Sequence, residues 1–174
     1  MKDKQSVEET DGMLIFNGVQ LHDSYLDQLY TIKNGGKVYR VVFLLNRHRI
    51  ELTAPLYSYL DELSQKFGLV SGQGRVPYIT GDSGSPLSDY YLIAASNREW
   101  DPPVFLDRDD TELYEGKLRG YFKIGSRVDM AVKPWHYGGN ISFSMVALKY
   151  MRPDILPSAQ KPTVEMARKL FASR

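Results

Sequence analysis

The chain has 174 residues, a formal charge of +1, 43% hydrophobic and 25% charged residues, and no cysteine. That length suits one domain with a real core, and the lack of cysteine excludes disulfides, thiol catalysis and cysteine-ligated zinc and fits a reducing compartment. No apolar run reaches the roughly 18 residues of a membrane span, so no membrane partner is expected.

The opening, MKDKQSVEETDG, lacks the apolar segment of a secretory signal. Residues 1–11 read as a disordered tail ahead of one domain over 12–153. MLIFNGVQL, 13–21, has strand composition with Gly18 placed for a bulge, and residues 22–32 are ambiguous between loop and short helix. Asn34-Gly35-Gly36 is a turn. VYRVVFLL, 38–45, is the strongest strand of the first half, and Arg47-His48-Arg49 after it adds cations. Pro55 is expected to open a helix over 56–67. Leu56, Tyr59, Leu60, Leu63 and Phe67 form its apolar stripe and Gly68 ends it.

Residues 70–86 are rich in Gly, Ser and Pro and read as a long mobile loop. Tyr90 to Ala95 is a strand, and residues 97–111 are a second loop with an extended Pro102-Pro103. Three strands are then expected. In YEGKLRGYFKI, 114–124, Leu118, Gly120, Phe122 and Ile124 alternate with Lys117, Arg119, Tyr121 and Lys123. In the next, Val128, Met130 and Val132 alternate with Arg127, Asp129 and Lys133. The third, 141–151, carries apolar residues on both parities, Ile141, Phe143 and Met145 and then Val146, Leu148 and Tyr150. Pro153 and Pro157 end the sheet. Thr163 caps a helix over 164–172 with Met166, Ala167, Leu170 and Phe171 on its apolar side, so residues 154–174 read as a helical extension.

Short strands around one mid-chain helix, without βαβ alternation, imply a mainly β fold. The expected form is an OB-fold-like barrel of five or six strands with one inserted helix and a C-terminal helix.

Charge is distributed unevenly. Residues 98–115 hold Arg98 and Arg108 against Glu99, Asp101, Asp107, Asp109, Asp110, Glu112 and Glu115, a net of −5. From 116 onward eleven Lys or Arg stand against Asp129, Asp154 and Glu165, a net of +8. An acidic loop followed by a basic sheet is either a solvated surface or the footprint of a polyanion. Tyr39, Tyr121, Trp135 and Tyr137 stand beside Arg40, Arg119, Lys123 and Lys133. Taken singly such rings are as often core residues as ligand contacts. Their repetition beside cations suits stacking on bases with neutralisation of phosphates.

Gly81-Asp82-Ser83-Gly84-Ser85-Pro86 resembles the GDSGGP nucleophile motif of chymotrypsin-like proteases. The only upstream histidines are His22 and His48, and Arg47 and Arg49 beside His48 disfavour the imidazolium that such catalysis needs. Gly, Asp, Ser and Pro are ordinary turn residues, so the segment reads as a loop. The three histidines form no metal-ligand pair, and Asp107, Asp109 and Asp110 lack the spacing of a calcium loop. No phosphate loop is present. No catalytic residue, metal or cofactor is expected.

From Met13 to Arg152 the chain resembles the OB-fold single-stranded DNA-binding proteins of tailed bacteriophages. The resemblance lies in the order of weak motifs. A helix ends near Lys66-Phe67-Gly68, and a loop of the form P…GD spans Pro77 to Asp82. A strand with small residues, Leu92 to Asn97, precedes the Tyr114-Glu115-Gly116 step. A basic strand and aromatic turn then lead into a strand from Ile141-Ser142 to Arg152. The resemblance implies non-sequence-specific binding of single-stranded DNA in phage replication, recombination or repair, in the host cytoplasm. Many such proteins end in an acidic tail that recruits partners; this chain ends in basic ARKLFASR. On this reading Arg40, Lys117, Arg119, Lys123, Arg127 and Lys133 track phosphates, and Tyr39, Tyr121, Trp135 and Tyr137 stack bases. Single-stranded DNA is the expected partner, with a phage DNA or RNA polymerase and a second copy of the chain as further candidates. The rival readings are a transcription cofactor or interaction module that holds a polymerase on the same barrel, and the serine hydrolase.

Overall fold

The structure is a computed structural model that describes residues 4–69 and 75–153, together with Val164, Arg168, Phe171 and Ala172. The elements described run β1 (Ser6–Thr10), β2 (Met13–Thr31), β3 (Lys37–Asn46), α1 (Ile50–Lys66), β4 (Tyr78–Thr80), a 3₁₀ turn (Pro86–Asp89), β5 (Tyr90–Arg98), β6 (Val104–Leu106), α2 (Leu118–Tyr121), β7 (Ser126–Tyr137) and β8 (Asn140–Pro153).

Period-two alternation builds the core. Tyr39, Val41, Phe43 and Leu45 of β3, Ile93 and Ala95 of β5, Val128, Met130 and Val132 of β7, and Ile141, Phe143 and Met145 of β8 are all buried. At the centre, Phe16 of β2 meets Phe43 and Phe143 edge-on, with centroids 4.8 and 6.3 Å apart. Five strands close a barrel in the order β5-β3-β2-β7-β8, because β8 returns to pair in parallel with β5. This is an OB-type barrel, mainly β as the alternation implies.

Closure depends on bending β2. Its first half pairs with β7 (Leu14 to Gln20) and its second with β3 (Gln20 to Thr31). Gly18 sits in the register shift against β7 with φ of +67°, a left-handed conformation that glycine adopts at least cost. β8 also bends. Val132 pairs with Met145 but Ala131 with Ala147, so Val146 is the extra residue and the inward parity switches from Met145 to Leu148. That switch explains apolar residues on both parities of this strand.

The seam between β5 and β8 has a single backbone register pair, Ala95 with Phe143. On one side of it the buried amide of Asn97 substitutes for the ladder. Its Nδ2 donates to the Met145 carbonyl (2.8 Å), and its Oδ1 accepts from the Met145 N–H (2.7 Å). On the other side residues 75–77 wedge between the strands. The Ile141 N–H donates to the Arg75 carbonyl (2.9 Å) and the Ala94 N–H to the Pro77 carbonyl (3.2 Å). Further along, β6 pairs with β8 through Val104 to Leu106.

Helix α1 covers the barrel with Leu52, Leu56, Tyr59, Leu60 and Leu63. It starts at Ile50, earlier than the expected opening at Pro55. Pro55 forfeits one helical hydrogen bond, but the extra turn buries Leu52 and Thr53. Gly68 ends it at φ +66°: its N–H donates to the Gln65 carbonyl (3.2 Å), and the Leu69 N–H to the Ser64 carbonyl (2.8 Å).

Other expectations are corrected. Residues 6–10 form β1 instead of a disordered tail, because Asp11 and Gly12, both at positive φ, make a two-residue hairpin to β2. Residues 22–31 continue β2. The expected mobile loop over 70–86 contains β4 and ends at Pro86, where the 3₁₀ turn begins; residues 70–74 lie outside the described residues. The expected strand over 114–124 is a turn and the short α2. Leu118 and Phe122, also spaced i, i+4, are buried while Ile124 is exposed. The Asp27 carboxylate accepts the N–H groups of Gly116 (2.8 Å) and Arg119 (2.7 Å). Of the expected C-terminal helix, Val164, Arg168, Phe171 and Ala172 are helical and exposed; Met166, Ala167 and Leu170 lie outside the described residues. No helix among the described residues is long and apolar enough to cross a membrane.

Two stability predictions follow from the core. Asn97→Ala leaves the Met145 peptide without its partners, and at about 1–3 kcal/mol per unsatisfied buried group it should cost about 2 kcal/mol or more. The expected readout is a lower urea midpoint at unchanged slope. Tyr59, buried with its hydroxyl donating to the Gly12 carbonyl (2.8 Å), is pushed up to about 12 by burial. Its contribution is complete below the ordinary value of 10.0 and is lost as pH rises through about 12. The urea midpoint should therefore fall across that alkaline window, and Tyr59→Phe should flatten the fall.

Candidate nucleic-acid interface

The alternation that buries odd residues of β3 and β5 turns their even residues outward. Val42, Leu92, Ala94 and Ser96 form the floor of a groove that continues over Ser142 and Ser144 of β8. The small side chains of Ala94 and Ser96 keep it open. It consists of two adjoining hollows of about 590 and 460 Å³ that share Arg40, Ala94 and Ser96.

Arg40 stands where the hollows meet, its guanidinium 4.7 Å from the centroid of the Tyr30 ring. That contact holds the planar cation against an aromatic face and keeps its edge available to an anion. The first hollow runs between Tyr30, Ile32 and Val38 on one side and Trp135 on the other, with Arg98 and Asp101 at its end. The second is bounded by His22, Arg75, Val76, Ile79 and Asn140. Arg75 is positioned by its own backbone, whose N–H donates to Asn140 Oδ1 (2.7 Å). The cations lining the two hollows are Arg40, Arg75 and Arg98 against the single carboxylate of Asp101. The groove therefore favours an anion along its length and has room for flat apolar groups on its floor.

Trp135 is held in place by its neighbour. His136 stacks on Phe67 at 4.0 Å, fixing the end of the β7–β8 ribbon against the C-terminus of α1. Alternation then sends Trp135 to the opposite side, into the groove wall, where it is 43% exposed. Lys133 and Tyr137 share the parity of Trp135 on β7 and are exposed, with Lys133 opposite Ser144 of the floor.

The structure thus brings Arg40 and Trp135 together on the groove, with Lys133 and Tyr137 beside them on β7. Tyr39 is corrected: adjacent to Arg40 on one strand, it must face the other way, and it is buried against Phe105 with centroids 6.4 Å apart. Burial pushes its hydroxyl up from the ordinary value. Tyr121 packs against Tyr150, centroids 5.4 Å apart, instead of presenting a free face. Lys117 and Lys123 are exposed on the α2 segment, outside both hollows. Arg119 of the same segment donates to Gln28 Oε1 (3.4 Å) and lines a smaller hollow beyond Tyr30. Arg127 lies at the far end of β7 and donates to the Gly18 carbonyl (3.0 Å).

Tyr30, Arg75 and Arg98 were not among the expected site residues. For Arg98 the signal was present, since it continues the outward parity of Ala94 and Ser96. Arg75 reaches the groove only through the wedge, which no local pattern announces.

No protein-family model and no curated protein sequence matches the chain. Solved structures do. A single-stranded DNA-binding protein from bacteriophage Enc34, in complex with single-stranded DNA, superposes with a TM-score of 0.71 at 18% identity, over 87% of this chain and 97% of that one. Another structure of that phage protein gives 0.69 at 17% identity over 95% and 99%. A single-stranded DNA-binding protein encoded by bacteriophage T7 gives 0.51 at 11% over 94% and 98%. The chain has their fold.

The GDSGSP segment is a turn. A Cβ on Gly81 would overlap the Leu87 carbonyl, and Gly84 has φ of +83°. Ser85 caps the 3₁₀ turn, its Oγ donating to the Asp82 carbonyl (2.7 Å) and accepting from the Leu87 N–H (3.2 Å). His48 is engaged by the Asp89 carboxylate at 3.0 Å. Ser83→Ala should therefore leave stability and function unchanged. Gly81→Ala, which must displace backbone, should lower the thermal midpoint clearly. Loss of function in a folded Ser83→Ala protein would contradict the turn assignment.

Proposed function

We propose that the protein binds single-stranded DNA along this groove without sequence preference, in phage DNA replication, recombination or repair within the host cytoplasm, and carries out no chemistry of its own. The observation that carries the reading is the groove: an open β3–β5 floor of small and aliphatic side chains, edged by arginines and by aromatic rings at Tyr30 and Trp135. Phage proteins of the same fold, one of them in complex with single-stranded DNA, support it.

Each element has a physical role. Trp135 stacks a base, and stacking accepts any base because each has a π face. Arg40, braced on Tyr30, pairs with a phosphate or lies over a base. Arg75, Arg98 and Lys133 neutralise phosphates and release counterions. The floor offers mainly methyl groups and two serine-lined strands, which supports contact without reading a sequence. Duplex DNA has its bases already stacked and cannot offer them to Trp135. Lys117, Arg119, Lys123 and Arg127 lie away from the groove and have a smaller part in this scheme than the sequence alone implied.

Trp135→Ala should weaken single-strand binding by about 1–3 kcal/mol, the worth of one stacked base, without lowering the melting temperature. Arg40→Ala and Arg75→Ala should each reduce the slope of log K against log salt by about 0.7, whereas Lys123→Ala should leave it nearly unchanged. Gel shifts with single-stranded and duplex DNA test the reading directly. Equal affinity for both, or normal binding by Trp135→Ala, would overturn it.

A further inference from the structure

Among the exposed rings of the described residues, one stands close to the groove floor without lining it. Trp100 is 80% exposed, at the turn that joins β5 to the segment before β6. An indole usually finds cover in a folded protein, because burying it is worth more than for almost any other side chain. This one is held out in water by a turn that is itself firmly fixed. The Asp101 N–H donates to the Arg98 carbonyl (2.9 Å), closing the turn. Asn97 Nδ2 donates to the Asp101 carbonyl (2.9 Å). The same buried amide bonds both backbone groups of Met145, so the turn is fastened to the barrel seam.

The position of the turn is informative. Asn97, Arg98 and Asp101, the residues on either side of Glu99 and Trp100, all line the end of the hollow that Trp135 walls. An exposed ring on a fixed turn therefore stands next to the end of a groove that contains another.

We infer that Trp100 is a second base-stacking platform, which extends the single-strand path past the β3–β5 floor by at least one nucleotide; this rests on the groove reading above. Arg98 receives the phosphate of that nucleotide. Glu99 and Asp101 repel a backbone from the tip of the turn, so the strand approaches Trp100 with a base instead of a phosphate. The acidic loop that follows the turn then marks where the path ends. A protein partner is the other class of ligand that an exposed tryptophan can serve, and it predicts no response of Trp100 to DNA.

Two variants with one tryptophan each decide the matter. In Trp135→Phe the emission reports Trp100, and in Trp100→Phe it reports Trp135. On titration with thymidine oligomers of about 4 to 16 nucleotides, the range of site sizes for one OB-fold, both emissions should be quenched, Trp100 only by the longer oligomers. Trp100→Ala should weaken binding of the longer oligomers roughly tenfold and leave the shortest unaffected. At 80% exposure its replacement should not alter the melting temperature, which serves as the folding control. Quenching of Trp135 with an unresponsive Trp100 and unchanged affinity in Trp100→Ala overturns this inference and leaves the groove reading intact. Absence of quenching in both, in folded protein, overturns the groove reading as well.

Discussion

The barrel is closed by a side chain. Between β5 and β8 the backbones form one register pair, Ala95 with Phe143, and the ladder is continued by the amide of Asn97 acting on Met145. An asparagine amide presents a donor and an acceptor much as a peptide group does, so it can stand in for a missing stretch of strand. Its burial makes this costly to lose, since the Met145 N–H and C=O have no water to turn to. The opposite flank of the seam is filled by residues 75–77, which bond Ile141 and Ala94. A strand that diverges from its neighbour leaves a gap, and here the gap is occupied on both sides by elements that also reach the groove.

The site follows from that geometry. β5 sends Ile93, Ala95 and Asn97 inward to core and seam and Leu92, Ala94 and Ser96 outward to the floor. One strand thus fixes closure with one face and shapes the groove with the other. The wedge brings Arg75 to one end, and the last residue of β5, just before the turn fastened by Asn97, brings Arg98 to the other. β2, bent at Gly18, carries Tyr30 round to meet Arg40. Arg75, Tyr30 and Arg98 come from separate segments of the chain, the wedge, the end of β2 and the end of β5.

Much of the fold was readable because its forces are local. β3, β5, β7 and the first half of β8 alternate cleanly, and α1 shows an apolar stripe. Failures came where a pattern fits two periods or where pairing outweighs composition. Leu118 and Phe122 satisfy a strand and a helix alike, and the Asp27 carboxylate, distant in sequence, decides for the helix. β1 has only Val7 to bury and forms because the Asp11-Gly12 turn lays it on β2. The site was half readable. Arg40 and Trp135, singled out by their neighbourhood of charge and ring, line the same hollow of the candidate groove. Tyr39 was included by the same criterion, though strand alternation forbids adjacent residues from sharing a face. Arg75 was invisible because a loop delivers it.

The charge of the groove shows why totals mislead. The chain is nearly neutral and its basic half begins after residue 115, yet the three arginines that line the hollows all precede that point. Three of the later cations are engaged elsewhere: Lys149 bonds Asp110 (2.7 Å), Arg119 bonds Gln28, and Arg127 bonds the Gly18 carbonyl. Arginine also suits the groove better than lysine. A guanidinium can lie flat against Tyr30 while its edge engages a phosphate, whereas an ammonium is a strongly hydrated point charge without a face to stack. On the proposed reading, where a planar cation stands relative to a ring, as Arg40 does on Tyr30, counts for more than the number of positive charges.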